Sequence, residues 1–186
     1  MSGVLSMKKI LCALAVLLSG FVLVTSMKPA DFDEKVSELT SYCSSNGYNA
    51  EYGILVDYGK SILSRRFYLV DLKTGDVVMR SLCGHGCGRN GSILKAEISN
   101  VPQSHCSSVG HYRIGVGRKM FTRDAMAFEL DGLDKTNSNV RSRAILLHES
   151  PVLISYGCVT LLPGRFREAA EILQSQPKNV IMWVYV

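Results

Sequence analysis

Apolar residues along the chain change their spacing twice, and the changes mark its elements. Over Asp31–Asn46 they recur at helical spacing, with Phe32, Val36 and Leu39 in one stripe. Asp31 offers an N-cap with Glu34 at the capping-box position, and Asn46-Gly47 supplies the stop. From Tyr52 the period falls to two. Tyr52–Asp57 predicts a strand. Arg66–Leu72 and Asp76–Leu82 predict two more, joined through Lys73-Thr74-Gly75 with glycine in the turn. A glycine-rich loop, Cys83–Gly91, follows. A second strand group covers His111–Val116, Ala125–Leu130 and Arg143–His148. Arg165–Gln174 predicts a short helix, and Val180–Val186, rich in β formers, a last strand. Many strands with a few peripheral short helices predict a mainly β domain, a sandwich or partial barrel.

Composition narrows the setting. A chain of 186 residues fits one domain, large enough to bury a core without staples. A hydrophobic fraction of 47% with mixed charge excludes a disordered chain. The net charge of +5 is not gathered into a Lys/Arg block, and aromatic residues are not interleaved with basic ones, so no nucleic acid partner is expected. An anionic cell-wall or membrane surface suits the charge better. Lys8 and Lys9 precede an uncharged, mostly apolar run, Ile10–Val24, too short for a comfortable membrane span. The pattern fits a secretory signal over residues 1–26, cleaved after Ser26; the alternative is an uncleaved anchor. Membrane contact is expected only through this segment. Residues 27–50 then form an N-terminal helical segment and 51–186 the main domain, expected to be a monomer.

The candidate chemistry lies near the C-terminus. Ser155-Tyr156-Gly157-Cys158 is a short turn ending in a thiol, and His148 closes the apolar run Ala144–Leu147 just upstream. Cysteine attacks as thiolate, and an imidazole can take its proton or stabilise its charge. Gly157 permits a sharp turn that exposes the sulfur and aims backbone N–H groups at a developing oxyanion. Beyond Cys12 in the leader there are five cysteines, Cys43, Cys83, Cys87, Cys106 and Cys158. An odd count in an exported chain leaves one thiol for chemistry, and Cys158 is the best placed. Cys83, His85, Cys87 and His105-Cys106 hold enough N and S ligands for zinc, yet their spacing is not that of a structural zinc site. No metal or cofactor is expected; a disulfide within this group is the stronger expectation.

From about Tyr52 to Tyr185 the string of motifs resembles the L,D-transpeptidase (YkuD-like) catalytic domain, in its murein L,D-transpeptidase branch. Asp57–Ser61 and Ser64–Leu72 resemble the opening hairpin, and Gly84-His85-Gly86-Cys87-Gly88 the histidine–glycine loop. Ser99-Asn100 and Ser104–Tyr112 resemble the serine-rich segment before a strand. Leu130–Asp134, Asn139 and Arg143–His148 resemble the approach to the catalytic histidine, and Ser155–Cys158 the nucleophile motif. The resemblance implies a β-rich transpeptidase fold and a peptidoglycan stem-peptide substrate. It also implies Cys158 as nucleophile, His148 as base, and Gly157 in the catalytic turn. The implied reaction is acyl transfer through a thioester to an amine, giving a 3→3 cross-link. With water as acceptor it becomes an L,D-carboxypeptidase, and without turnover a peptidoglycan-binding domain. Tyr156, Ser155, Arg143, His85, Ser107 and Ser108 are the implied substrate contacts; His111 and Trp183 are read as packing residues.

The chain departs from the family pattern in three places. Tyr156 stands where the motif has histidine, and Val159-Thr160-Leu161 carries neither the usual Arg nor the Pro. Arg143 or Arg141 is the expected replacement cation. The link from His148 to Cys158 is short, so Pro151–Ile154 is expected to connect them almost directly. Glu149-Ser150 follows the histidine in place of glycine.

Overall fold

The computed structural model describes residues 28–91, 93–119 and 126–186. The leader expected over 1–26, the mature start at Met27 and the strand start at Ala125 lie outside them. Residues 28–32 belong to an N-terminal unit of their own, in which Phe32 donates its N–H to the Pro29 carbonyl.

Helix α1 runs Phe32–Ser45. The strands are β1 Tyr52–Asp57, β2 Phe67–Asp71, β3 Val77–Ser81, β4 His85–Gly86, β5 Gly110–Lys119, β6 Met126–Gly132, β7 Leu146–Glu149, β8 Ile154–Ser155, β9 Val159–Leu161 and β10 Ile181–Tyr185. Helix α2, Pro163–Ser175, precedes β10, and a short 3₁₀ turn spans Lys135–Asn137. Eight strands make one sheet in the order β3-β2-β1-β10-β5-β6-β7-β9, and β4 pairs with β8 in a second, two-stranded sheet. The two pieces meet. Gly84, three residues past the end of β3, donates its N–H to the Thr160 carbonyl of β9 at 2.8 Å. The two edges of the large sheet are thereby drawn together, and the fold is the partial barrel that the strand pattern predicts.

Period-two alternation decides what lies inside. Ile54 and Val56 of β1, Met182 and Val184 of β10, and Tyr112 and Ile114 of β5 join one core with Phe166, Ala169, Ala170 and Leu173 of α2. The opposite face of β1 carries α1. A Cβ at Gly53 would lie 2.8 Å from a Leu39 methyl carbon, so glycine lets the helix approach. Tyr42 of α1 stacks on His111 at 3.9 Å, and His111 on Trp183 at 5.1 Å. Both expected packing residues have that role.

Three differences from the sequence reading concern the site. The strand expected from Arg143 begins at Leu146, because the N–H groups of Arg143, Ala144 and Ile145 bond to Asn139, Arg141 and Val140 in a turn where Ala144 has φ 52°. The glycine loop holds β4. The link from His148 to Cys158 is no plain connection: it carries β8, which leaves the main sheet to pair with β4.

Candidate active site

Strands β7 and β9 run parallel, with Leu147 opposite Val159 and His148 opposite Thr160. That register sets Cys158 beside Leu146. It places Leu146, His148, Cys158 and Thr160 on one face, away from core residues Leu147 and Val159. His148 is thus one strand over from Cys158 and two residues along, roughly 4.8 Å across and 6.6 Å lengthwise in backbone terms. Among the described residues the sulfur's partners are the Leu146 N–H at 3.4 Å and the Ala144 carbonyl at 4.0 Å. Burial pushes the Cys158 thiol pKa up; the Leu146 N–H, the Arg143 charge and the cysteine's own N–H pull the other way. His148 Nδ1 lies 2.7 Å from the Glu149 carbonyl. A carbonyl only accepts, so the proton sits on Nδ1 and Nε2 is the basic nitrogen. Any residue after the histidine can supply that carbonyl, which accounts for glutamate where the family pattern has glycine.

The Ser155–Cys158 turn is held from several sides. Ser155 Oγ accepts the Gly157 N–H at 3.1 Å and donates to the Cys158 carbonyl at 2.8 Å. Gly157 has φ 120°, and a Cβ there would come within 2.6 Å of Ile145 and 2.9 Å of the Cys106 carbonyl oxygen, so both its conformation and its space require glycine. Beside the turn opens a cleft of about 420 Å³ lined by Pro102, Gln103, His105, Ser142, Arg143 and Tyr156. Tyr156 is 74% exposed, and its ring lies 4.6 Å from that of His105. Gln103 and His105 both hold left-handed backbone, at φ 62° and 57°. Two such non-glycine residues on one wall mark a shape held against local preference. A larger cavity, about 450 Å³, lies between β5 and the turn after α2 and contains none of the expected site residues.

Of the six residues expected to meet substrate, the structure places Tyr156 and Arg143 at the cleft and the other four behind it. Arg143 reaches the cleft wall, but its guanidinium is spent on the loop beneath. It donates to the Ser99 carbonyl at 3.1 Å, Ser108 Oγ at 3.0 Å and the Cys106 carbonyl at 2.5 Å. The other expected cation, Arg141, pairs with Glu129 and Asp131. Ser107 and Ser108 are buried, at 2% and 3% exposure, and Ser155 serves the turn. His85 is corrected too: it is fully buried, with Nδ1 2.8 Å from the Gly86 carbonyl and Nε2 3.2 Å from that of Ile93. A short strand in a glycine loop turns its side chain inward where the core lies, so the ring packs edge-on to Tyr58 and is not part of the cleft lining. The expected disulfide is also corrected. All five described cysteines are free thiols, Cys83 sitting in the core and Cys106 turned to the Ser104 carbonyl.

Other supports carry little sequence signal. Arg66 is fully buried, and among the described residues it makes no salt bridge to a carboxylate. Its guanidinium grips the Cys83 carbonyl through two nitrogens at 3.1 and 2.9 Å and lies over the Tyr58 ring at 4.7 Å. Tyr58 donates to the Gly84 carbonyl at 2.8 Å. Together they fix the backbone leading into β4. The one available sign was an arginine flanking an otherwise apolar run, Phe67–Val70.

With this geometry in place, comparison with known families decides the assignment. Residues 24–176 match the L,D-transpeptidase catalytic domain. The chain belongs to that family. Solved structures similar to it include an L,D-transpeptidase from Stackebrandtia nassauensis (TM-score 0.44, 13% identity, covering 81% of this chain and 64% of that one). Others are an L,D-transpeptidase from Mycobacterium smegmatis (0.46, 10%, 73% and 59%) and the helical cell shape determining protein Pgp2 from Campylobacter jejuni (0.47, 14%, 72% and 46%). The chain spans less than two thirds of the length of these structures. No curated protein matches it. As an L,D-transpeptidase-family domain it departs from the motif at Tyr156, whose ring forms one wall of the cleft.

Proposed function

We propose that this domain is an exported cysteine acyltransferase acting on peptidoglycan stem peptides. The observation that carries the reading is the shared face of β7 and β9. Cys158 lies there against a backbone N–H, one strand from a histidine whose tautomer is set by the Glu149 carbonyl. His148 Nε2 takes the thiol proton, and the thiolate attacks the carbonyl at the L-centre of the stem's diamino acid. The tetrahedral intermediate collapses, the C–N bond breaks, and D-Ala leaves with the proton from the imidazolium. A thioester on Cys158 remains. The amine of a second stem then attacks, gives its proton to His148 and releases the Cys158 thiol, so the enzyme is regenerated and a 3→3 bond is formed.

The test is intact-mass analysis of the mature domain with a disaccharide tetrapeptide. The expected result is a covalent adduct on Cys158 with release of one D-Ala, absent in Cys158→Ser. An unmodified protein, or an adduct on another thiol, refutes the reading. Export through residues 1–26 is part of the proposal, and N-terminal sequencing of the exported protein should start near Met27.

A further inference from the structure

Ser107 lies outside the cleft, yet it touches both halves of the site. Its hydroxyl accepts the Gly86 N–H of β4 at 3.0 Å and donates to the Gly157 carbonyl at 3.2 Å. It is 2% exposed, so neither bond competes with water. The two backbones it joins are in contact: a Cβ at Gly86 would lie 2.9 Å from the Gly157 Cα. Strand β4 is itself fixed by Arg66 and Tyr58 through the Cys83 and Gly84 carbonyls.

The carbonyl that Ser107 holds is half of the Gly157–Cys158 peptide. In a planar trans peptide the C=O and the following N–H point in opposite directions. Holding the Gly157 oxygen inward on Ser107 therefore turns the Cys158 N–H outward. That N–H has no carbonyl acceptor among the described residues and lies against its own sulfur. A donor beside an attacking sulfur can stabilise the negative charge that the attacked carbonyl develops, and such donors act only when pre-aimed.

We infer that Ser107 is a positioning residue, whose hydroxyl orients the Gly157–Cys158 peptide so that the Cys158 N–H serves as an oxyanion donor. The inference rests on the nucleophile role proposed above for Cys158.

Two reactions of the same sulfur separate the roles. Iodoacetamide alkylates the thiolate by displacement, and no carbonyl oxygen gains charge. Acylation by the disaccharide tetrapeptide does develop an oxyanion. In Ser107→Ala the limiting iodoacetamide rate, read at high pH where the thiol is fully ionised, should stay within about twofold. The maximal rate of D-Ala release should fall roughly 10–10²-fold with KM little changed. Ser107→Thr, which keeps the hydroxyl, should recover most of the loss. Ser107→Gly serves the same comparison if the alanine protein does not fold. Equal losses in both reactions, or no loss in acylation, overturn the positioning role while the nucleophile stands. Failure of the unchanged protein to acylate overturns the nucleophile reading and this inference with it.

Discussion

Cys158 is held in the form that reacts least. Its thiol pKa is raised above the ordinary value by burial, more than the Leu146 N–H and the Arg143 charge can offset, so at neutral pH the sulfur keeps its proton. The iodoacetamide rate should accordingly still be climbing at pH 9. Arg143→Gln should slow it at fixed pH, since loss of the cation raises the thiol further. A rate already level below pH 8 would refute this. In the reaction proposed above a protonated resting thiol puts the load on His148, and His148→Ala should cut acylation by on the order of 10²–10⁴. Glu149→Gln should leave acylation within about twofold, because the carbonyl and not the carboxylate orients the imidazole. A tenfold loss in that variant would assign the side chain a role the geometry does not give it. Cys158, His148 and Gly157 drew attention in the sequence because chemistry restricts which residue types can do the work proposed for them, and the structure sets all three at the ends of β7 and β9. The Leu146 N–H and the Glu149 carbonyl were not, since every residue offers those groups. Ser107 and Ser108 were noticed as serines, but their burial depends on partners up to 50 positions away.

At the scale of elements, the long period-two strands were legible and the short ones were not. Strands β1, β2, β3, β5, β6 and β10 fall within or close to the ranges their alternation predicts, and α1 and α2 follow their apolar stripes. Strands β4 and β8 have two residues each and β9 has three, too few for any period to show. Those three, with β7, frame the candidate site, so its walls were less legible than the long strands. Their packing depends on backbone contact. A Cβ at Gly86 would lie 2.2 Å from the His105 carbonyl oxygen and 2.8 Å from the Cys106 carbonyl carbon, neither of which can swing aside as a side chain could. Gly86→Ala should cost about 1–3 kcal/mol in chemical denaturation, the range for overpacking. It should also lower acylation more than a surface glycine change such as Gly164→Ala, where a Cβ meets nothing within 4 Å. Equal stability in the two variants would show that β4 and the Ser155–Cys158 turn are not locked together.

The whole molecule buries several groups that titrate, and their shifts set its pH range. Burial raises the Cys43 thiol to about 11, Cys83 to about 12 and the Tyr112 hydroxyl to about 12, and it pushes Tyr58 well up. Each keeps its proton in the folded state at pH values where the unfolded chain has lost it. The stability this supplies is fully present below the unfolded values, about 9 for the thiols and 10 for the phenols, and is lost as pH rises through the folded ones. His85 works from the other side. Burial lowers its pKa below 6.5, so its contribution is present above that value and is lost as pH falls through the folded one. Cys83, Tyr58 and His85 lie at or beside β4, the strand that closes the barrel and backs the Ser155–Cys158 turn, so both limbs should open the molecule there. Urea midpoints measured from pH 5 to 10.5 should be level between about 6.5 and 8.5 and fall on either side. The alkaline fall steepens toward about 1.4 kcal/mol per pH unit for each group engaged. Cys43→Ala should make the alkaline limb shallower, because its thiol no longer titrates between the two states, and leave the acid limb as it was. A midpoint that stays level to pH 10.5 would mean that the buried thiols reach water without unfolding.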